Sequence, residues 1–506
     1  MPHRPHTAVI EVGSAGELGR HVTRLLADGH RLALIAAHHD TAQHRGGQAI
    51  RIVYLFVAGQ PDRRVELVLR ADPAKPHIPS LAALSFPASR FEREMRDLFG
   101  VEPDNHPLPR QLVRHPHWPQ DWHPMRLDAG TRPPLTGAEA FPFLTVDGNG
   151  VYEIPVGPVH AGLIEPGHFR FSVVGETILK MKARLWYVHK GTEKLFEGKH
   201  FADGVALAER ISGDTAVGHS LAYCLAIEEA LNIDVPPQAR RIRAMLLELE
   251  RLHNHIADIG ALCNDVAYGI AHAHTQRIRE TLLRINKTVT GHRLLRGAIR
   301  PGGAHLLNTP DLMQISSTAQ DLAEIVEIAL GHTVVRERFT GTAVLTRQQA
   351  ADVGVLGYVA KASGLAYDAR TAHPFTNLGE TLSIPTFTEG DVLARFRIRA
   401  AEAQNSAAII RQLAPTITPG HHHTETGDVN GHDGDIRCGT GIAEGWRGTI
   451  THRAEVGSDG RLSRVKIVDP SFLNWPALPV ALTETIVPDF PLANKSFNLS
   501  YAGNDL

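Results

Sequence analysis

The stretch Pro236-Pro-Gln-Ala-Arg-Arg-Ile-Arg-Ala-Met-Leu-Leu-Glu-Leu-Glu-Arg-Leu-His-Asn-His-Ile-Ala-Asp-Ile-Gly260 decides the fold class. Ile242, Met245, Leu246, Leu249, Leu252, Ile256 and Ile259 fall at steps of three and four, which lines them along one face of an α-helix. Proline is tolerated in the first helical turn, where the N–H has no partner anyway, and Gly260 is the expected stop. Similar stripes run over Val217–Leu231, Ile278–Val289, Leu312–Leu330 and Val392–Leu413, closed by Gly291, Gly331 and Pro415 where a stop is visible. Long amphipathic helices bury their apolar faces against one another, so these segments predict a bundle.

Upstream the pattern differs. Gly16–Gly29 carries a helical stripe, and Arg31–Ala37, Ala49–Val57 and Val65–Arg70 read as strands. Phe91–Gly100 predicts a short charged helix, and the prolines of Asn105–Arg126 keep that segment extended or looped. Pro133-Pro134 and nearby Asp and Gly residues mark a linker. Val151–Phe171 predicts paired strands, Trp446–Val468 a β-hairpin around Ser458-Asp-Gly460, and Pro419–Asp435 an irregular insertion. The expected fold class is α+β: a small N-terminal α+β domain (1–126), a linker (127–150), and a large, mainly helical domain (151–506) with peripheral β-hairpins.

Composition excludes several classes. Lys+Arg number 52 against 54 Asp+Glu, so no basic footprint for nucleic acid exists. Three cysteines in 506 residues rule out a disulfide scaffold and fit a reducing compartment. The longest apolar run, Ile52–Ala58, is far short of the roughly 20 residues of a membrane helix. A soluble chain is expected, with any membrane link made through a partner.

Several motifs then fall in one order. Phe91-Glu-Arg-Glu-Met-Arg-Asp-Leu-Phe-Gly100 precedes Gly157-Pro-Val-His160, Tyr187-Val-His-Lys-Gly-Thr-Glu-Lys194 and Glu248-Leu-Glu-Arg-Leu-His-Asn-His255; Arg300-Pro-Gly-Gly303 and Asp469-Pro-Ser-Phe-Leu-Asn-Trp-Pro476 follow. By these the chain resembles the large subunit of group 4, formate hydrogenlyase-type [NiFe] hydrogenases and the fused peripheral-arm subunits of complex I, over nearly its whole length. The resemblance implies a hydrogenase large-subunit-like bundle and four thiolate ligands at R-x-C-G-x-C and D-P-C-x-x-C. Here these positions read Arg210-Ile-Ser212-Gly-Asp-Thr215 and Asn498-Leu-Ser500-Tyr-Ala-Gly503. Ser212, Thr215, Ser500 and Gly503 offer no sulfur, and a soft thiolate set is what nickel and iron take in such sites. No metal is therefore assigned and hydrogen turnover is not expected.

In complex I the corresponding cavity receives a quinone, which the resemblance extends to a possible quinone here. It places His168 (Glu165-Pro-Gly-His168) and Asp265 (Cys263-Asn-Asp265) as the catalytic pair handling protons, with Phe201 beside His200 where the family has a tyrosine. A hydrogen-bonded hairpin residue is the structural alternative for His168. Arg210, His219, Asp368 and Arg370 match polar residues around the family's site, with buried ion pairing as their structural alternative, and Glu165 matches an acidic residue near a structural magnesium site that is not assigned here. Implied partners are an iron–sulfur small subunit, ferredoxin-like electron-transfer subunits and antiporter-like membrane subunits, with the chain peripheral on the cytoplasmic face of the cell membrane. The expected function is electron transfer from the iron–sulfur partner to a quinone or another acceptor, coupled to ion translocation; the alternative is a non-catalytic scaffold and conformational coupler.

Outside these motifs, His421–His423 with His432, Asp433 and Asp435 offers divalent-metal ligand types or simply a solvated loop. Cys224 and Cys263 read as buried small hydrophobes and Cys438 as a loop residue. Gly439-Thr-Gly441-Ile-Ala-Glu-Gly445 is glycine-rich but leads into a hairpin, so no phosphate loop is expected, since that mechanism needs a helix N-terminus.

Overall fold

The computed structural model describes residues 7–41, 47–135, 141–162, 164–424 and 436–506. Its N-terminal part is a four-stranded sheet in which strands Arg31–Asp40, Ala49–Ala58 and Arg63–Ala71 run antiparallel. A strand that the sequence reading does not contain, Thr7–Val12, adds in parallel along Arg63–Ala71. Helix Ala15–Ala27 begins at Ser14, whose hydroxyl accepts the Glu17 N–H. Helix Phe86–Phe99 ends at Gly100, whose φ of 73° is the left-handed closure that glycine adopts without steric cost.

The bundle forms as the periodicity predicts, with helices Ala216–Leu231, Pro237–Asp265, Gly269–Thr290, Leu312–Gly331 and Val392–Leu413. All seven stripe residues of the central helix are fully buried. Gly260 does not end it. The helix runs on to Asp265, and a Cβ at Gly260 would lie 1.8 Å from Thr275 Oγ1 on the next helix. That glycine permits close helix packing rather than a stop. The opposite, polar face of the helix is buried too: Arg243, Glu248, Arg251 and His255 are at most 1% exposed. A helix buried all round needs partners for its charges.

Three strands, Arg437–Gly445, Gly448–Val456 and Leu462–Val468, form an antiparallel sheet laid against helix Ala216–Leu231. The glycines of 439–445 sit in the first strand. A Cβ at Gly439 or Gly441 would fall 2.1 Å from Ala226 O or 1.8 Å from Ala222 O, so they admit the helix backbone, not a phosphate. Strands Val151–Val156, His168–Val174 and Thr177–Arg184 form a separate sheet. His421–His423 is a correction to the expected loop: Gly420–His423 pairs with Gly303–Leu306, and the His421 ring stacks on His305 at 3.7 Å. His432, Asp433 and Asp435 lie outside the described residues. Cys438 is on a strand, and Cys224 and Cys263 are buried.

One apolar cluster runs without a break from Leu34, Leu55 and Phe91 through Phe169 and Phe171 to Phe472, Trp475 and Phe497. The N-terminal sheet and the end of the chain are thus packed into a common core.

Candidate functional site

Ser212 and Thr215 lie in the turn leading into helix Ala216–Leu231, and Ser500 and Gly503 come from the start of the last helix, Tyr501–Asp505. The fold brings the two segments into contact. The Ser212 and Ser500 hydroxyls are 2.8 Å apart. Ser500 Oγ also caps its helix by accepting the Gly503 N–H at 2.9 Å, and Ser212 donates to Asp214 Oδ1 at 2.8 Å. Hence the Ser500 hydroxyl donates to Ser212, and the chain of protons ends on Asp214. Thr215 donates to the same oxygen at 3.0 Å.

Arg447, from the turn between strands Arg437–Gly445 and Gly448–Val456, clamps the arrangement. It binds Asp214 through Nη1 and Nη2 at 2.8 and 2.7 Å, and its Nε donates to Asn498 O at 2.6 Å. Against the effect of burial, this guanidinium holds the Asp214 carboxyl far below its ordinary range. At the fourth position, a Cβ on Gly503 would stand 2.6 Å from the Asp469 carboxyl carbon. Asp469 is fixed there by Ser471 N at 2.7 Å and by His219 Nε2 at 3.0 Å, while His219 Nδ1 meets His452 Nε2 at 3.0 Å. Glu250 closes the same region from the central helix by accepting the Val217 and Gly218 N–H groups at 2.7 and 2.9 Å. Burial pushes its carboxyl up to about 8.

The other expected residues distribute unevenly. His219 is fully buried and bonds the Asp469 carboxylate that lies against Gly503. Arg210 is corrected: it is exposed and donates to Ala206 O four residues earlier, and Arg447 is the cation bonded to Asp214. Asp368 and Arg370 form a bidentate buried pair at 3.0 and 2.8 Å. His168 opens its strand with Nδ1 against Gly157 O at 3.1 Å. Asp265 lies at the last turn of the central helix, where Lys495 and His272 are its charged neighbours and burial raises its carboxyl. No hydrogen bond joins Asp265 to His168 among the described residues. Two turns earlier, Asp258 is the carboxylate buried towards the site, held by Arg399 Nε at 2.9 Å and by Asn498 Nδ2 at 2.6 Å. Phe201 packs on the His200 ring and receives the Tyr223 hydroxyl on its carbonyl at 2.7 Å. Glu165 accepts the Ala502 N–H at 2.9 Å, tying the hairpin loop to the last helix.

A cavity of about 310 Å³ opens nearby, lined by Trp118, Met125, Lys190, Glu193 and Asp505 among others. Lys190 Nζ donates to Ile211 O at 3.1 Å, so the cavity borders the Ser212 turn.

Asp214, Arg447, Glu250 and Asp258 were not singled out in the sequence. Arg447 stands in a Gly-Trp-Arg-Gly turn more than 200 residues from Asp214, and only the hairpin geometry signals its role.

Known proteins match most of the chain. Residues 17–134 match the 30 Kd subunit and residues 251–436 the 49 Kd subunit of respiratory-chain NADH dehydrogenase, and residues 190–263 match nickel-dependent hydrogenase. Formate hydrogenlyase subunit 5 of Escherichia coli (strain K12) is 33% identical over 468 residues, covering 90% of this chain and 81% of that one. The chain belongs to the group 4 hydrogenase-like family.

Within that family it has the fused 30 Kd/49 Kd organisation. Hydrogenase-4 component G of the same organism is 33% identical, over 82% of this chain and 73% of that one. The NADH-quinone oxidoreductase C/D protein of Phocaeicola vulgatus is 31% identical, over 69% and 72%. The same fold occurs in a structure of the membrane-bound sulfane sulfur reductase, an archaeal respiratory membrane complex, with a TM-score of 0.65 at 24% identity over 71% of this chain and 99% of that one. No helix among the described residues is long and apolar enough to cross a membrane.

Proposed function

We propose that this group 4 hydrogenase-like chain is the large subunit of a membrane-associated redox complex, that it holds no nickel–iron centre, and that it acts as a conformational and electrostatic coupler. Electrons travel in an iron–sulfur partner fed by ferredoxin-like subunits, and ion movement occurs in antiporter-like membrane partners on whose cytoplasmic face the chain sits. The 2.8 Å hydrogen bond between Ser212 and Ser500 carries this reading. The two hydroxyls are satisfied by each other and by Asp214, and at Gly503 the Asp469 carboxylate stands where a side chain would begin, so no thiolate is offered at any of these positions. Neutral hydroxyls are hard, weak donors, so the residues do not fit the group. Metal analysis of the purified complex tests it: nickel far below the amount of the chain is expected, and stoichiometric nickel overturns the proposal.

A second reading, reduction of a quinone or another two-electron acceptor, draws support from the cavity beside Lys190 and Asp505. Acceptor reduction requires proton donors at the acceptor oxygens. On that reading His168→Ala abolishes acceptor turnover in the assembled complex while assembly persists; unchanged turnover removes the proton-handling role of His168.

A further inference from the structure

On the other side of the Gly445–Gly448 turn, four carboxylates and three permanent cations meet in one buried cluster. Glu248 and Arg251 come from the central helix, Lys361 from helix Gly357–Ala362, and Asp368 and Arg370 from the start of helix Ala369–Ala372. Glu402 comes from helix Val392–Leu413 and Glu444 from strand Arg437–Gly445. All are at most 6% exposed.

Six of the eight carboxylate oxygens are matched by charged donors. Lys361 Nζ binds Asp368 Oδ2 at 2.6 Å and Glu402 Oε1 at 2.5 Å. Arg370 binds both Asp368 oxygens and Glu248 Oε1, the latter at 3.0 Å. Arg251 reaches Glu402 Oε2 at 2.8 Å and Glu248 Oε2 at 3.3 Å, and Ser406 donates to Glu248 Oε2 at 2.6 Å. Glu444 is different. Its Oε2 accepts two neutral donors, Ala369 N at 2.9 Å and Thr449 Oγ1 at 2.7 Å. Its Oε1 is buried without a hydrogen-bond partner among the described residues, 3.9 Å from an Nζ already engaged twice.

A buried carboxylate oxygen with no donor is expensive as an anion and far cheaper as a neutral hydroxyl. Among the described residues, the other group placed to balance the fourth negative charge is His255, whose Nε2 lies 3.0 Å from Glu402 Oε2. It is fully buried and also faces Arg251 and Arg399, so burial first, and these guanidiniums with it, depress its proton affinity despite Glu402. Beyond it, Arg399 is neutralised by Asp258, and Tyr358 lies under the Arg399 guanidinium.

We propose that Glu444 is a buried proton-binding site, holding one exchangeable proton on Oε1 while Oε2 serves as the hydrogen-bonded carbonyl oxygen. Its occupancy sets the net charge of the Lys361 cluster to zero or minus one. Burial, reinforced by the Asp368 charge, brings the carboxyl up to about 7, where a modest field change fills or empties it. Use of this proton in coupling rests on the function proposed above; its presence does not.

Infrared difference spectroscopy of the full chain against pH reads protonated carboxyl groups apart from carboxylates. Glu444→Gln removes one buried carboxyl signal that titrates near pH 7, and Glu250→Gln removes a different one near pH 8. Thr449→Val, nearly isosteric, shifts the Glu444 carbonyl stretch upward by deleting its hydroxyl donor. An unchanged spectrum in Glu444→Gln overturns the assignment; if that variant fails to fold, absence of a shift in Thr449→Val does so. If the signal is lost but ion movement by the assembled complex is unchanged in Glu444→Gln, the proton site stands and the coupling role falls.

Discussion

Two polar regions flank one hairpin turn, and they solve the problem of buried charge in opposite ways. On one side Arg447 and Asp214 pair with two parallel bonds, and the Ser212, Thr215 and Ser500 hydroxyls complete the set. On the other, three residues away in the chain, Glu444 joins a cluster whose cations are already committed. The first region is compensated, the second is short of one positive charge. Gly448, at φ 136°, lets the turn pack so closely on Gly357 that a Cβ on Gly357 would lie 2.0 Å from Arg447 O, at the start of the helix that carries Lys361. A shift of the turn would be felt on both sides at once, which is the geometry a coupler needs.

The sharpest way to break the comparison is Arg447→Ala. Loss of one partner from a fully buried pair costs about 3–5 kcal/mol. The Asp214 side chain is 36% exposed, so water takes over part of the charge, and a loss of about 2–3 kcal/mol of unfolding free energy is expected in denaturant titration. A loss below about 1 kcal/mol, the worth of a surface pair, would mean that the compensated side is not held by its ion pair. Ser212→Ala is expected to cost about 1 kcal/mol, the worth of an ordinary buried hydrogen bond, because Ser500 keeps the Gly503 N–H.

The smallest effect is the pH dependence, in which each region holds carboxyls shifted up and carboxyls shifted down. Glu444 and Glu250 have an ordinary value of 4.5 but hold protons in the folded chain to about 7 and about 8. Between those values the folded state binds more protons than the unfolded one, so their contribution to stability declines as pH rises and is lost above about 8. Asp214, Asp469 and Glu402 are held below their ordinary range, so their contribution is present above that range and is lost as pH falls through their folded values. Thermal melts against pH should therefore decline on both sides of a mildly acidic maximum. Glu444→Gln should flatten the alkaline limb alone, and an unaltered limb would contradict its raised proton affinity.

Much of the fold was legible because helical periodicity is local. The five bundle helices and the strands Arg31–Asp40 and Ala49–Ala58 follow from spacing alone. Thr7–Val12 was not legible, since it is only six residues long and its pairing partner lies more than 50 residues away. Gly260 was misread as a stop because a glycine that admits a neighbouring helix is written like one that ends its own. The ligand positions Ser212, Thr215, Ser500 and Gly503 were placed by motif, and the structure gathers them. Arg210 and Asp265 were placed by the same means, but side-chain direction is set by rotation about each segment, which a motif does not carry. Arg447 binds Asp214, and Asp258 is held by Arg399 and Asn498, contacts that no motif announces.

By itself the sequence determined the long bundle helices, the family pattern they follow and the absence of cysteine at Ser212, Thr215, Ser500 and Gly503, since each of these is a property of residue type and spacing. The tertiary structure alone decided which groups meet Ser212, Thr215, Ser500 and Gly503 and where a buried charge goes unmatched. Both depend on which donors arrive from distant segments, and the free energy of a buried polar group is fixed by those neighbours rather than by its own identity.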